Sequence, residues 1–230
     1  MQFYYSNNIT DNIITLDSIE SKHCLKVMRY DEGKEINVVD GLGNLFISKI
    51  KNKGRQSCEL TIIKKFKEFG KRLNYLHIAV SPLKARDRME WLVEKAVEIG
   101  VDEISFVCCK HSEKKSINLE RLKKISISAM KQSQKAYLPK INELTFFTDF
   151  VSSCGNKNKL LAHMDEGKVS PISELRNSKE TCIIIGPEGD FSDNEITISM
   201  ENNFKPVSLG RYRLRSETAA VVACTLLNNG

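Results

Sequence analysis

The sequence predicts an α/β fold in two parts: a small β-rich unit over residues 1–70, then a larger unit of alternating strands and helices over residues 71–230. Three observations carry this. Short β-type runs near the start are separated by turn residues, Asp40-Gly41 and Gly43-Asn44, as hairpins require. Beyond residue 70 apolar runs of strand length alternate with segments of helical periodicity, the pattern of a mainly parallel sheet. Between them the charged stretch from Lys64 to Arg72 reads as a linker or edge strand.

In the first part, Ile36–Val39, Leu45–Ile50 and Cys58–Ile63 are the expected strands. In the second, Tyr75–Val80 is apolar enough for a buried strand. A helix begins at Asp87, with Met89, Leu92, Val93, Ala96 and Val97 as its apolar stripe, Asp87 and Glu90 as its cap and Gly100 as its stop. Glu103–Cys108 is a strand and Leu119–Ser133 a basic helix; strands follow near Lys159–Ala162, Cys182–Ile185 and Pro206–Leu209. The apolar segment Glu217–Leu227 closes the chain as a helix.

Apolar residues make up 41% and charged residues 28% of the 230, a globular balance with enough apolar surface for a core. No apolar run approaches the roughly 20 residues that span a bilayer, and the first residues lack the basic and apolar regions of a secretory signal, so a cytoplasmic protein without membrane contact is expected. Seven cysteines form no C-x-x-C pair and have no zinc-site spacing; reduced, mostly buried thiols and no metal are expected. The net charge of +6 is unevenly spread. Residues 64–88 carry eight Lys and Arg against two acids, and residues 110–140 carry nine against two. Such clusters suit a polyanion, although a solvated face would also explain them.

Two segments have the composition of a site. In Ile183-Ile184-Ile185-Gly186-Pro187-Glu188-Gly189-Asp190-Phe191-Ser192, a buried strand enters a glycine turn, and Ser192 with Glu195 forms a capping box for the next helix. Glycines there would let a ligand approach the backbone at the carboxyl end of a strand; an ordinary tight turn is the competing reading. In Leu209-Gly210-Arg211-Tyr212-Arg213-Leu214-Arg215-Ser216-Glu217-Thr218-Ala219, three arginines and a glutamate stand between a strand and an apolar helix, with Ser216 as the expected helix cap. Neither contains a Walker or dinucleotide-binding pattern.

Together, G-P-E-G-x-F-S-x-x-E and L-G-x-x-x-L-R-S-E-T-A resemble the C-terminal signature of the RsmE family, the 16S rRNA uridine N3-methyltransferases. Lys84–Val101 resembles that family's first catalytic-domain helix, and His23–Arg29 with Asp40-Gly41 its N-terminal domain. The resemblance implies a PUA-like RNA-binding β-barrel (1–70) and a SPOUT methyltransferase domain (71–230) with a trefoil knot. It also implies S-adenosylmethionine as cofactor, 16S rRNA of the small ribosomal subunit as substrate, and a homodimer. Carried onto this chain, the cofactor loops are Leu161-Ala162-His163, Ile185-Gly186-Pro187-Glu188-Gly189, and Leu209, Gly210, Leu214, Ser216, Thr218 and Ala219.

The catalytic candidates are Arg215, stabilising a uracil anion, and Glu217, as base or as organiser of Arg215. RNA contacts are expected from Lys26 and Arg29 in the first part, and from Lys84, Arg86, Arg88, Lys131 and Lys135 in the second. Four positions depart from the family pattern, among them Ser216, where many members have threonine and the hydroxyl is kept. Asp190 stands where many members have glycine, and Tyr212-Arg213 where many have Arg-Ile, so Arg213 either takes over the arginine's role or faces solvent. The histidines are expected to be structural or solvent-facing, His163 excepted because it falls in a cofactor loop. The rival functions are a non-catalytic RNA-binding or ribosome-assembly factor and a nucleotide-dependent enzyme; cofactor binding separates all three.

Overall fold

The structure is a computed structural model that describes residues 2–54, 57–163, 169–172 and 179–228. It divides into two compact units, residues 1–71 with 127–138, and residues 72–126 with 139–230.

In the first unit β1 (Phe3–Tyr5), β2 (Ile9–Thr10) and β3 (Ile13–Leu16) precede a short helix α1 (Ser18–Lys22) and a π-helical stretch, His23–Val27. Then come β4 (Glu35–Val39), β5 (Leu45–Lys53) and β6 (Cys58–Phe66). They form one curled six-stranded sheet in the order β1-β4-β5-β6-β3-β2, with only the β1–β4 ladder parallel. Alternate residues point inward, and Tyr4, Ile14, Leu16, Val38, Phe46 and Leu60 meet in a closed core. The first residues of the charged stretch, 64–66, continue β6, pairing Lys64 with Ile47 and Phe66 with Leu45 of β5, while residues 67–72 follow it outside any strand. Pairing with β5 overrides its polarity, because the lysines face solvent. Residues 127–138 pack with this unit: Leu138 N–H bonds Gly41 O at 2.9 Å, and the Lys131 ammonium pairs with Glu20, which is buried.

The second unit contains β7 (Tyr75–Val80), α2 (Arg86–Ile99), β8 (Glu103–Cys108), the first half of α3 (Leu119–Gln132), β9 (Lys140–Phe146), α4 (Phe147–Ser153), β10 (Asn158–Ala162), β11 (Ser170–Pro171), β12 (Glu180–Ile185), α5 (Asp193–Glu201), β13 (Lys205–Ser208) and α6 (Ser216–Leu227). Its seven strands are all parallel, in the order β11-β13-β10-β12-β7-β8-β9. β7 and β12 are buried along nearly their whole length, as strands covered on both faces must be. Gly100 terminates α2 at φ 122°, where a side chain would be strained. Two expected caps are corrected: α2 starts after Ala85, with Asp87 in its first turn, and α6 starts after Arg215, with Ser216 as its first residue; neither cap position makes a side-chain bond. The Ser192–Glu195 capping box on α5 forms as expected. Among the described residues no helix is long and apolar enough to cross a membrane, and all seven cysteines are free.

Candidate active site

The three segments singled out in the sequence meet at the carboxyl ends of β10, β12 and β13, around a cavity of about 660 Å³. That volume lies in the range of small-molecule and cofactor sites.

From the end of β10 come Ala162 and His163. The His163 N–H donates to Val207 O at 3.1 Å, tying this loop to β13. Its Nδ1 is buried without a hydrogen-bond partner and stands 3.6 Å from the Asp190 carboxylate. Leu161 is 1% exposed and belongs to the core rather than the lining.

From the end of β12, Ile185, Gly186, Pro187, Glu188 and Asp190 line the cavity. A Cβ on Gly186 would stand 3.0 Å from the Phe191 ring, and one on Gly189 would stand 3.0 Å from His111 Cβ. Close packing inside the protein therefore favours glycine here, as a ligand's approach also would. Asp190 holds φ 63°, and its carboxylate accepts the Phe191 N–H at 2.8 Å, the local bond that lets aspartate occupy a conformation suited to glycine. Neighbouring segments pin the turn. The Lys84 N–H reaches Glu188 at 3.2 Å, the Lys110 N–H reaches Glu195 at 2.7 Å, and His111 Nδ1 donates to Gly189 O (3.1 Å) and Asp190 O (3.0 Å). With two carbonyls as acceptors, that nitrogen must carry the proton. The sequence signal for His111 is only its place just past the end of a strand.

After β13, Leu209, Gly210, Tyr212, Arg213, Leu214 and Arg215 line the cavity, followed by Ser216 and Ala219 of α6. Gly210 adopts φ 149° with nothing within 4 Å of its would-be Cβ, so here the backbone faces open space. Tyr212, Arg213 and Arg215 are all exposed at the mouth. Thr218 is half-buried and Glu217 buried; neither lines the cavity. The ion partner of Glu217 is Arg88, whose Nε is 3.6 Å from Oε1, while Oε2 is buried without a hydrogen bond. Arg88 itself lines the cavity.

Of the remaining basic candidates, Lys26 and Arg29 are exposed on the first unit. Lys84 pairs with Glu113 at 2.7 Å, which holds its ammonium above the usual lysine range, and Arg86 pairs with Glu90 at 2.8 Å. Lys131 is committed to Glu20, and Lys135 is half-buried. Behind the cavity, burial pushes the Cys109 thiol up, so it stays protonated at neutral pH. Among the described residues no cluster of His, Cys, Asp and Glu is placed to hold a metal.

A family model described as an RNA methyltransferase domain matches residues 71–228, and one described as an RNA methyltransferase PUA domain matches residues 16–63. A ribosomal RNA small subunit methyltransferase E from Mesomycoplasma hyopneumoniae is 36% identical over 174 residues, 74% of this chain and 76% of that protein. The chain belongs to this family. A solved "probable rRNA-methyltransferase" from Porphyromonas gingivalis is 37% identical, with a TM-score of 0.91 over 97% of this chain and 95% of that one. The fold is also that of a Neisseria gonorrhoeae ribosomal RNA small subunit methyltransferase E solved with S-adenosyl methionine, at 23% identity and a TM-score of 0.87 over 97% and 95%. Family membership identifies the chain as an RNA methyltransferase.

Proposed function

We propose that the chain methylates N3 of a uridine in 16S rRNA of the small ribosomal subunit, in the cytoplasm, with S-adenosylmethionine held in the 660 Å³ cavity. The observation that carries this is the convergence of three loops from β10, β12 and β13 on one cavity, with cationic side chains at its mouth. The cavity suits the cofactor: its volume is that of a drug-sized ligand, and the open backbone at Gly210 and the unpartnered His163 Nδ1 offer polar groups beside apolar Ile185, Leu209 and Leu214. Ala162, His163, Ile185 to Glu188, Leu209, Gly210, Leu214, Ser216 and Ala219 would hold it, with Leu161, Gly189 and Thr218 supporting from behind the lining.

The bound cofactor supplies an electrophilic methyl on a sulfonium. Uracil N3 must give up its proton to solvent water before it accepts that methyl, and the negative charge so created needs a cation nearby. Arg215, exposed at the mouth, supplies it, with Arg213 adjacent. Glu217 acts by fixing Arg88 at the cavity wall rather than by gripping Arg215. Lys26 and Arg29, with Lys84, Arg86, Arg88, Lys131 and Lys135, contribute positive potential toward RNA phosphates. Residues 1–70 serve as a PUA-like barrel for RNA; residues 71–230 form a SPOUT domain with a trefoil knot, active as a homodimer.

The test is transfer of labelled methyl from S-adenosylmethionine to small subunits from cells lacking the modification, followed by nucleoside analysis. A 3-methyluridine product is expected, with Arg215→Ala lowering kcat by about 100-fold. Cofactor binding without transfer to the subunit would refute the substrate, and no cofactor binding would leave a non-catalytic RNA-binding protein.

A further inference from the structure

A second cavity of about 230 Å³ opens in the larger unit and shares no lining residue with the first. Its floor is apolar: Leu83, Met89 and Leu122 are each no more than 6% exposed. Its rim is charged, with Arg86, Lys114 and Arg121 against a single carboxylate, Glu90. Glu90 accepts from Arg86 Nε at 2.8 Å and from Arg121 Nη2 at 3.0 Å, so it fixes both guanidiniums in place. The terminal nitrogens of Arg86, and Nη1 of Arg121, keep their hydrogen-bonding capacity, with no partner among the described residues. Lys114 is also without an ion-pair partner among them.

An apolar slot beneath fixed cations matches one kind of ligand well. A nucleobase is planar, apolar on its faces and joined to a phosphate, and RNA-binding sites place such bases against apolar or aromatic surface while cations take the phosphate. The slot also lies beside the cofactor cavity. Lys84 bridges the two, its N–H on Glu188 of the cofactor loop and its ammonium on Glu113, next to Lys114.

We infer that this second cavity receives another nucleotide of the RNA substrate, its base on the Leu83–Met89–Leu122 floor and its phosphate on Arg86, Lys114 and Arg121. The inference rests on the RNA-methylation reading above and adds to it a site that selects the sequence around the target uridine. Specificity for one uridine needs such a site, because a cavity that holds the cofactor and one base cannot read its neighbours.

Three variants test it, each at an exposed or half-exposed position that leaves the core intact: Lys114→Ala, Arg121→Ala and Ser116→Trp, the last filling the slot without removing charge. The substrates are small ribosomal subunits lacking the modification and S-adenosylmethionine. Each variant is expected to raise the KM for subunits about tenfold and leave the KM for S-adenosylmethionine unchanged. If the two charge variants weaken subunit binding and Ser116→Trp does not, the rim is a plain phosphate strip and the nucleotide slot is refuted. Saturable binding of a free nucleoside monophosphate, with the subunit KM unmoved in all three, would make the cavity a small-molecule site and also overturn the inference. Failure of the unaltered protein to methylate subunits would instead strike the functional reading, so the two failures are distinguishable.

Discussion

Removing Arg88 should cost more stability than removing the charge of its partner. The Glu217 carboxylate is 10% exposed and its one ion partner among the described residues is Arg88, Nε at 3.6 Å; Arg88 is 41% exposed. Two unit charges at that distance attract by about 4–5 kcal/mol in an effective dielectric of 20. Solvent around the arginine reduces this to about 2 kcal/mol. Arg88→Ala therefore leaves a buried carboxylate without a counter-charge, at a cost of about 2–3 kcal/mol. Glu217→Gln removes the charge that needs compensation and should cost about 1 kcal/mol, and the double variant should resemble it. The assay is urea unfolding followed by fluorescence of Trp91, the chain's single tryptophan, which lies on α2 beside the pair. A coupling of about 2–3 kcal/mol is expected from the double-mutant cycle. Additive costs within 0.5 kcal/mol, on the usual limit for independent sites, would refute the argument that Arg88 neutralises Glu217.

Three further outcomes follow from local geometry. Burial works against ionisation of Glu103, but hydrogen bonds from Tyr75, Asn142 and Lys140 outweigh it and hold the carboxyl down to about 2, so its contribution to stability is complete above pH 4.5 and lost as the pH falls toward 2. After solvent screening this is about 1 kcal/mol, and Glu103→Gln should flatten the acid limb of a stability–pH curve by that amount. Gly186→Ala should lower stability by about 1–2 kcal/mol through the 3.0 Å approach to Phe191; a smaller penalty in a Phe191→Leu background, measured by thermal unfolding, would identify the ring as the obstacle. Asp190→Asn should stay within about 0.5 kcal/mol of the unaltered protein because asparagine also tolerates a positive φ, whereas Asp190→Ala, which loses the Phe191 bond, should cost about 1–2 kcal/mol; equal melting temperatures would refute the account of this turn.

The strands with the clearest composition were legible in the sequence, and so were the loops they deliver. β7 and β12 are mostly apolar runs, buried on both faces of a parallel sheet, and the same burial makes the polar glycine turn after β12 stand out. β9 and α4 escaped notice. β9 is an edge strand with a mixed pattern, and Phe146 and Phe147 mark a strand-to-helix change rather than one periodic element. β1 to β3 are three, two and four residues long, too short for periodicity to register. Pairing between side chains far apart in sequence was not legible at all. Glu217 was expected as a base or as organiser of Arg215; its ion partner in the structure is Arg88, which comes from another helix.

That miss has a physical cause that applies to the whole cavity. The three loops are identifiable because each ends a strand, yet what fixes their shape comes from elsewhere in the unit: Val207 O holds His163, Lys84 holds Glu188, and His111 holds Gly189 and Asp190. These supporting groups have no composition of their own, since a backbone N–H from any residue could take the place of that of Lys84. The support does, however, settle how such a loop can act. A turn whose carbonyls are already bonded to His111 loses little conformational freedom when a ligand arrives, so the binding energy of the cofactor need not be spent on ordering it. The segment from Gly210 to Arg215 is held differently. Among the described residues Gly210 bonds only to Ser208, and Tyr212, Arg213 and Arg215 stand exposed. The cavity thus has one pinned wall and one freer wall, and Arg215, the cation proposed to face the target uracil, lies on the freer one, where an arriving substrate can draw it into place.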